Sequence, residues 1–201
     1  MEEVLLVATT NPGKISEIRA VLDGLPVRLA VLGDFPRVPE PDETGRTCAD
    51  NALLKARYYA AALGSPTVAE DSGLEIDALD GRPGVASARY PGATYADKFA
   101  GLYRELAPHS RPWHARFVCA IAFVAPPSPA PVFTCQATVE GEIAPAPRGP
   151  YGFGYDPIFY YPDYGATFGE VRDDRKLAVA HRGRAFRQFR DWLVSTGTPA
   201  E

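Results

Sequence analysis

Two adjacent acids, Glu70 and Asp71, are the residues of this chain whose type and spacing most suit chemistry. They follow a short apolar run, and alternating apolar and charged residues resume after Ser72 and Gly73. That pattern predicts strand, tight turn and strand over residues 67–78. Like charges side by side repel each other, and a divalent cation relieves the repulsion. The pair therefore predicts a metal-dependent site, with a solvated acidic turn as the alternative.

The segment ATTNPGK follows a predicted buried strand and opens a predicted helix, which is a natural setting for an anion. Backbone N–H groups at the helix start and the Lys14 ammonium favour a phosphate. The segment is not a P-loop, because alanine and isoleucine stand where that motif has glycine and serine or threonine. A plain helix N-terminus capped by Thr10 and Asn11 is the alternative.

The segments ETGRTCADNALLK and YGFGYDP supply an acid, a cation and an aromatic ring. Glu43 precedes a predicted helix, and Asn51 and Lys55 share one face of it because they are four residues apart. Phe153 lies between two glycines, whose conformational freedom lets the ring project and stack on a base. The alternatives are a solvated Lys55 and a Phe153 side chain that packs into the core.

Lys176, His181 and Arg182 bring cationic or hydrogen-bonding groups together just before a predicted C-terminal helix. Arg182 can donate a planar fork of hydrogen bonds, which suits an oxygen acceptor on a ligand. The alternative is a solvated helix start. His109 and His114 flank a proline-containing turn and are expected at the surface.

The elements that must position these groups are a mixture of helices and strands. Strands and helices alternate early in the chain and consecutive strands follow in the middle, which predicts an α/β fold with a mixed sheet. The predicted strands cover residues 4–8, 67–78 (broken by the turn), 117–124, 132–139 and 158–161, and one more lies within residues 23–46. One predicted helix follows ATTNPGK, and the others cover residues 47–63, 94–106 and about 183–194.

Length and composition limit the class of protein. A chain of 201 residues suits one domain, in a single body or in two lobes. A net charge of -4 gives no general attraction to nucleic acid or to anionic membranes. The three cysteines, Cys48, Cys119 and Cys135, lack CxxC spacing and are expected to be buried thiols in a reducing compartment. The N-terminus resembles neither a signal peptide nor a membrane span, so a cytoplasmic location is expected.

Taken together, these motifs resemble one family, the non-canonical purine NTP pyrophosphatases, also called inosine triphosphate pyrophosphatase-like proteins or XTP/dITP diphosphatases. The resemblance covers nearly the whole chain. Two positions depart from the family pattern: Asp50 stands where glutamate is usual, and Glu70 where bacterial members often have aspartate. The motifs that carry the resemblance, in chain order, are ATTNPGK, ETG with NALLKA, AEDSGL, GRPGVASARY, GFGYDPIF and HRG.

The resemblance implies an elongated central mixed sheet flanked by helices, in one pyrophosphatase domain of two lobes with a substrate cleft between them. It also implies a homodimer that uses Mg²⁺. The net charge, and not the resemblance, predicts that the protein binds neither nucleic acid nor membranes. The implied reaction converts dITP, ITP or XTP and water to the monophosphate and pyrophosphate, which removes deaminated purines from the nucleotide pool.

Residue roles follow from the matching motif positions. Asp71 is implied as the general base, and Phe153 is implied to stack on the purine while His181 and Arg182 contact its 6-oxo group. The implied metal ligands are Glu43, Glu70 and Asp71. The implied substrate-binding residues are Thr9, Thr10, Asn11, Lys14, Lys55, Ser72, Phe153, Gly154, Tyr155, Asp156, Lys176, His181 and Arg182.

Two alternative functions stay open at this point. One is a nucleotide-binding regulator without turnover, against which the intact carboxylates argue. The other is a related pyrophosphatase that acts on modified pyrimidine nucleotides or on ordinary nucleotides, against which the FGYD and HRG segments argue.

Overall fold

The computed structural model describes residues 4–197, which form eight strands and five helices joined by loops and short 3₁₀ turns. No helix within residues 4–197 is both long and apolar enough to cross a membrane. In chain order the elements are β1 (Val4–Val7), α1 (Pro12–Leu22), β2 (Arg28–Val31), α2 (Cys48–Leu63), β3 (Thr67–Ile76), β4 (Pro83–Gly84), α3 (Tyr95–Leu106), β5 (His114–Val124), β6 (Pro131–Ile143), β7 (Phe159–Tyr161), β8 (Ala166–Thr167), α4 (Asp173–Val179) and α5 (His181–Thr196).

The strands form one sheet in the order β2-β1-β3-β5-β6-β7-β8, and β4 pairs with β3 beside this path. Strand β1 runs parallel to β2 and to β3, with Leu6 opposite Ala30 and opposite Thr67. The pairs β3–β4, β6–β7 and β7–β8 are antiparallel. The prediction of an α/β fold with a mixed sheet is therefore confirmed.

The chain divides into two compact units, and each is described by itself below. Unit 1 comprises Met1–Asp71, Cys119–Ala137 and Arg182–Glu201, and unit 2 comprises Ser72–Val118 and Thr138–His181.

Unit 1 packs its helices on an apolar core that includes an aromatic cluster. Phe189 lies 5.4 Å from Phe123 and 5.5 Å from Phe133 between ring centroids, and Trp192 contacts all three rings. Burial of each large apolar side chain contributes roughly 1.5–3 kcal/mol to stability. This cluster fixes helix α5, whose first turn carries Arg182, against β5 and β6.

Unit 2 has its own core, in which aromatic residues of β5, β7 and the following turns pack together with aliphatic residues. Phe117 lies 4.4 Å from Phe159, and Phe159 lies 5.1 Å from Phe168, between ring centroids. All three side chains are buried. The same core holds Tyr155, which is the residue that follows the Phe153-Gly154 pair.

Two helices begin as the sequence predicts, because both carry capping boxes. Thr47 accepts the Asp50 N–H at the start of α2, and Thr94 accepts the Asp97 N–H at the start of α3. Gly64 ends α2 in the left-handed conformation, with φ +60.

The predicted turn at Ser72-Gly73 is wrong, because β3 continues without a break through Ile76. Glycine is needed there for another reason: a Cβ atom on Gly73 would lie 2.3 Å from the carbonyl oxygen of Gly84. Helix α4 and strand β8 were not predicted, since α4 has seven residues and β8 only two. Such short elements carry too little hydrophobic periodicity to be recognised.

Candidate active site

Glu70 and Asp71 are the last two residues of strand β3 that belong to unit 1. Successive side chains of a strand point to opposite faces, so Glu70 and Asp71 project in opposite directions. Each carboxylate is buried and each has its own cation: Lys14 for Glu70 and Lys55 for Asp71. The predicted repulsion between neighbouring carboxylates is thus compensated within the protein itself.

Asp71 is held by two side chains of helix α2. Lys55 Nζ lies 3.1 Å from Asp71 Oδ1, and Asn51 Nδ2 donates to Asp71 Oδ2 at 3.3 Å. Asn51 and Lys55 face the same side of the helix, as their spacing predicts. Lys55 is therefore not solvated, and its side chain is 13% exposed.

The pKa of Asp71 is raised above its ordinary value. Burial is the largest cause, Lys55 opposes it, and the nearby charge of Glu70 adds to the increase. Carboxylates with a raised pKa beside a fixed hydrogen-bond donor are suited to accept a proton near neutral pH. The pKa of Lys55 is also raised, because Asp71, Glu70 and Glu43 together outweigh the effect of its burial.

Glu43 joins the same cluster through Lys55. Glu43 Oε1 accepts a hydrogen bond from Lys55 Nζ at 2.7 Å. The chain between them is fixed by Asn51, whose Oδ1 accepts the Gly45 N–H at 2.7 Å. A Cβ atom on Gly45 would lie 2.5 Å from Asn51 Oδ1, so the glycine of the ETG segment allows this close approach. Asn51 was not among the predicted site residues, although its i, i+4 spacing to Lys55 indicated it.

Glu70 is the centre of a second charged group, on the other face of β3. Its Oε1 lies 2.6 Å from Lys14 Nζ, and its Oε2 lies 3.5 Å from Cys119 Sγ and 3.7 Å from Arg182 Nε. Burial alone would raise the pKa of Glu70, but Lys14, Arg182 and Lys55 hold it well below its ordinary value. Burial raises the pKa of the Cys119 thiol, so this group is neutral and donates to the carboxylate.

Arg182 is buried and forms a second ion pair. Its Nη1 donates to Glu17 Oε2 at 2.5 Å, and both residues are shielded from solvent. Glu17 is a functional candidate that the sequence reading missed. Its signal was an acid directly before Ile18 and beside the other buried residues of helix α1, Val21 and Leu22, where an unpaired charge is costly.

The segment ATTNPGK forms a capped helix start, as one of the two predictions required. Asn11 Oδ1 accepts the Lys14 N–H at 3.1 Å, and Thr9 Oγ1 accepts the Asn11 N–H at 3.2 Å. Thr10 is not a cap, since its hydroxyl donates to Glu40 Oε1 at 3.3 Å. The Lys14 side chain is 19% exposed and is directed from this helix start toward Glu70.

Unit 2 contains a second cluster, around the loop that carries Phe153. Lys176 Nζ donates to Asp156 Oδ2 at 2.6 Å and lies 4.8 Å from the centroid of the Phe153 ring. Asp156 Oδ2 also accepts the Phe153 N–H at 2.8 Å. The ring of Phe153 is half-buried and lies outside the apolar core, contrary to the alternative of a core side chain.

The two glycines beside Phe153 are required by backbone geometry. Gly152 and Gly154 have φ of 70 and 65, the left-handed region that favours glycine. A Cβ atom on Gly152 would also lie 2.3 Å from Asp156 Oδ2. His181, at the end of unit 2, is buried and stacks on Phe117 at 4.7 Å between ring centroids.

The carboxylates of unit 1 differ in how well they suit Mg²⁺. Within residues 4–197, no group of three or more acidic, histidine or cysteine side chains is arranged to hold a metal ion. Mg²⁺ is usually bound by one or two carboxylates together with phosphate oxygens and water. Glu43 and Asp71, which converge on one ammonium group, fit that requirement. Glu70, whose two oxygens face Lys14, Cys119 and Arg182, fits it less well.

The predicted site residues thus fall into two groups within their own units. Unit 1 brings together Lys14, Glu43, Lys55, Glu70, Asp71 and Arg182, and unit 2 brings together Phe153, Asp156 and Lys176. The Tyr155 hydroxyl is used elsewhere in unit 2, where it donates to the Ser87 carbonyl oxygen.

The fold and these clusters define a mixed α/β protein with a buried acid–base centre suited to an anionic ligand. The profile of the Ham1 family matches residues 5–192, and the chain belongs to that family.

Individual relatives agree with this assignment. The chain is 47% identical over 194 residues to the dITP/XTP pyrophosphatase of Geobacter sulfurreducens, covering 94% of this chain and 96% of that protein. It is 44% identical over 191 residues to the dITP/XTP pyrophosphatase of an Exiguobacterium species, covering 94% and 96%. The solved structure of a HAM1 protein from Coxiella burnetii has a TM-score of 0.88 and 40% identity, covering 96% of this chain and 99% of that one. The family resemblance predicted from the motifs is confirmed.

Proposed function

We propose that this protein hydrolyses non-canonical purine nucleoside triphosphates, dITP, ITP and XTP, to the monophosphate and pyrophosphate. The observation that carries the proposal is the setting of Asp71: a buried carboxylate of raised pKa, oriented by Asn51 and adjoining Lys55 and Glu43. The names of the Geobacter and Exiguobacterium relatives support the same substrates and reaction.

Asp71 would act as the general base. It takes a proton from the water whose oxygen forms a bond to the α-phosphorus, and the bond from the α-phosphorus to the bridging oxygen breaks as pyrophosphate leaves. The Asn51 amide keeps the carboxylate oriented while the proton is transferred. Glu43 and Asp71 are the residues that would hold Mg²⁺, which when bound neutralises charge on the phosphate oxygens and the leaving group.

The triphosphate would be bound by two lysines of the unit 1 helices, Lys14 and Lys55. Lys14 lies at the start of α1, where backbone N–H groups also favour an anion. Lys55 reaches the Asp71 carboxylate from α2. Glu70 positions Lys14 through their ion pair, and its role as a metal ligand stays a prediction. Ser72, Thr9, Thr10 and Asn11 also stay predicted phosphate contacts.

The nucleobase would be bound by the unit 2 cluster. Phe153 offers a half-buried ring for stacking, and the Lys176 ammonium beside that ring is a donor for an oxygen of the base. We therefore assign Lys176, a predicted substrate-binding residue, to the base. His181 and Arg182 stay predicted contacts of the 6-oxo group.

The test is a product and substrate assay. With Mg²⁺ present, dITP should yield dIMP and pyrophosphate in one step, followed by phosphorus NMR. The kcat/KM for dITP should exceed that for dATP on the order of 10²-fold, because buried donors that face the 6-oxo group would be left unpaired by the adenine amino group. Chelation of Mg²⁺ should stop turnover and leave the circular dichroism spectrum unchanged.

Other outcomes would point to other functions. Release of dIDP and inorganic phosphate would rule out attack at the α-phosphorus. Binding of dITP without any turnover would indicate a regulator, and equal rates on dATP or on modified pyrimidine nucleotides would indicate a broader pyrophosphatase. The homodimer and the cytoplasmic location stay predictions.

A further inference from the structure

The loop of residues 81–92, GRPGVASARYPG, contains none of the predicted substrate contacts, yet it is bonded to β3 directly after Ser72. Ser87 Oγ accepts the Leu74 N–H at 2.8 Å and donates to the carbonyl oxygen of Gly84 at 2.6 Å. One hydroxyl group can make both bonds, since it has one hydrogen and two lone pairs. Ser87 is 5% exposed, so neither bond is exchanged readily for water.

The backbone of the loop also touches the strand. Leu74 is paired with Gly84 in the antiparallel β3–β4 ladder. A Cβ atom on Gly73 would lie 2.3 Å from Gly84 O and 3.3 Å from Ser87 Oγ. The loop therefore fixes the backbone that immediately follows Ser72, a predicted phosphate contact.

The same serine is bonded on its other side to the loop that carries Phe153. The Tyr155 hydroxyl donates to the Ser87 carbonyl oxygen at 2.8 Å. Tyr155 is 5% exposed, and its ring packs edge-on against Tyr95 at 5.4 Å and in a tilted arrangement against Phe99 at 6.0 Å, between ring centroids. The side chain of Tyr155 is thus committed to the interior of unit 2, and a contact of this residue with the substrate stays a prediction.

Tyr155 is in turn joined to the base-binding cluster through the chain itself. Phe153 and Asp156 lie on either side of the Gly154-Tyr155 pair, and the Phe153 N–H is bonded to Asp156 Oδ2 across it. A shift of Tyr155 must therefore move the Phe153 ring, the Asp156 carboxylate or both. The connected groups run in the order Ser72-Gly73-Leu74, Ser87, Tyr155 and Phe153–Asp156, all within unit 2.

We propose that Ser87 and Tyr155 are positioning residues that fix the Phe153–Asp156 loop relative to the Ser72 backbone, and thereby set the selectivity for the base. The selectivity part of the proposal rests on the proposed function. Displacements of about 1 Å in positioning groups can cost on the order of 10²-fold in rate, so one hydrogen bond at this point has a measurable effect.

The first experiment compares two matched substitutions. Tyr155→Phe removes the hydroxyl that donates to Ser87 and keeps the packed ring. Tyr103→Phe is the control, because its hydroxyl donates to another unit 2 carbonyl, that of Ala144, at 2.9 Å. We expect Tyr155→Phe to lower kcat/KM for dITP by about tenfold, chiefly through KM, and to lower the dITP/dATP ratio, while Tyr103→Phe leaves both within about twofold.

The second experiment needs no activity. Amide hydrogen exchange should be faster at Leu74 and at residues 153–156 in Tyr155→Phe, and unchanged there in Tyr103→Phe. Ser87→Ala should accelerate exchange at the same amides, and Ser87→Thr, which keeps the hydroxyl, should restore protection toward the wild-type level. If Ser87→Ala does not fold, the Tyr155→Phe and Tyr103→Phe comparison still decides the question.

The outcomes separate the proposals. Equal exchange at Leu74 in Tyr155→Phe and wild type would overturn the link, whatever the activity. Faster exchange with an unchanged dITP/dATP ratio would overturn its role in selectivity. If wild type does not hydrolyse dITP, the proposed function fails, and the exchange data still establish or overturn the link.

Discussion

Glu70 and Asp71 are adjacent in the chain, yet Glu70 Oε1 lies 2.6 Å from Lys14 Nζ while Asp71 Oδ1 lies 3.1 Å from Lys55 Nζ. The alternation of side chains along β3 assigns the two acids to different partners. Glu70 has its pKa held well below the ordinary value, and Asp71 has its pKa raised. Two carboxylates with opposite shifts are suited to different tasks, one as a permanent anion and one as a proton acceptor.

Replacing Asp71 by asparagine should abolish most of the activity. Asp71→Asn keeps the shape of the side chain and removes its ability to take a proton, so kcat should fall by about 10²-fold or more at saturating Mg²⁺. Asp23→Asn, at an exposed position after α1, is the control and should retain wild-type kcat. A folded Asp71→Asn protein with near-normal turnover would disprove the assignment of the base.

The pH dependence of kcat/KM should report the raised pKa of Asp71. A general base is active when deprotonated, so activity should fall as the pH drops through that pKa. Lys55 is the largest influence that lowers this pKa, so Lys55→Met should move the acid limb to higher pH. Lys98→Met, which removes a half-buried lysine of unit 2 whose ammonium donates to Ala88 O, should leave the limb where it is. An acid limb that stays in place or moves to lower pH in Lys55→Met would contradict the proposed electrostatics.

Removal of Arg182 should destabilise the fold as well as alter the site. Arg182→Ala leaves Glu17 and Glu70 buried with fewer cations, and breaking a buried ion pair in this way costs roughly 3–5 kcal/mol in the free energy of unfolding. Arg19→Ala, on the exposed side of α1, should change that free energy by about 0.5 kcal/mol or less. Urea unfolding measures both. If Arg182→Ala lowers the free energy of unfolding no more than Arg19→Ala does, the ion pairs of Arg182 with Glu17 and Glu70 add little stability.

Gly73 should not tolerate even a methyl group. Gly73→Ala would place a Cβ atom 2.3 Å from Gly84 O, and the backbone shift that relieves this contact should cost about 1–3 kcal/mol and reduce activity. Gly33→Ala is the matched control, since nothing lies within 4 Å of a Cβ atom there. Thermal unfolding of both variants tests the difference, and equal melting temperatures would refute the close approach.

Local sequence signals predicted much of the fold. The capping boxes at Thr47 and Thr94 and the glycine after Leu63 placed two helices, because these signals act through bonds between residues near in sequence. The mixed sheet followed from the alternation of elements. The turn at Ser72-Gly73 was a wrong prediction, because the reason for the glycine is a carbonyl group eleven residues further along the chain.

The pairing of charges at the site could not be read from the sequence. Glu43, Lys55 and Asp71 were predicted site residues, but which cation meets which carboxylate depends on the alternation along an unbroken β3. Glu17 was missed since its partner, Arg182, is 165 residues away in the chain. Tyr155 was assigned to the substrate by its motif position, and only its bond to Ser87 shows that the hydroxyl is used inside the protein.

The division of the chain into interleaved segments has a consequence for synthesis on the ribosome. All residues of unit 2 have been made once His181 is added, whereas unit 1 still lacks its last segment, which begins at Arg182. Until helix α5 emerges, Glu70 and Glu17 have no Arg182 to pair with, and Phe123 and Phe133 have no Phe189 to pack on. Unit 1, which holds Asp71, should therefore complete its charge pairs and its aromatic core later in synthesis than unit 2 obtains all of its residues.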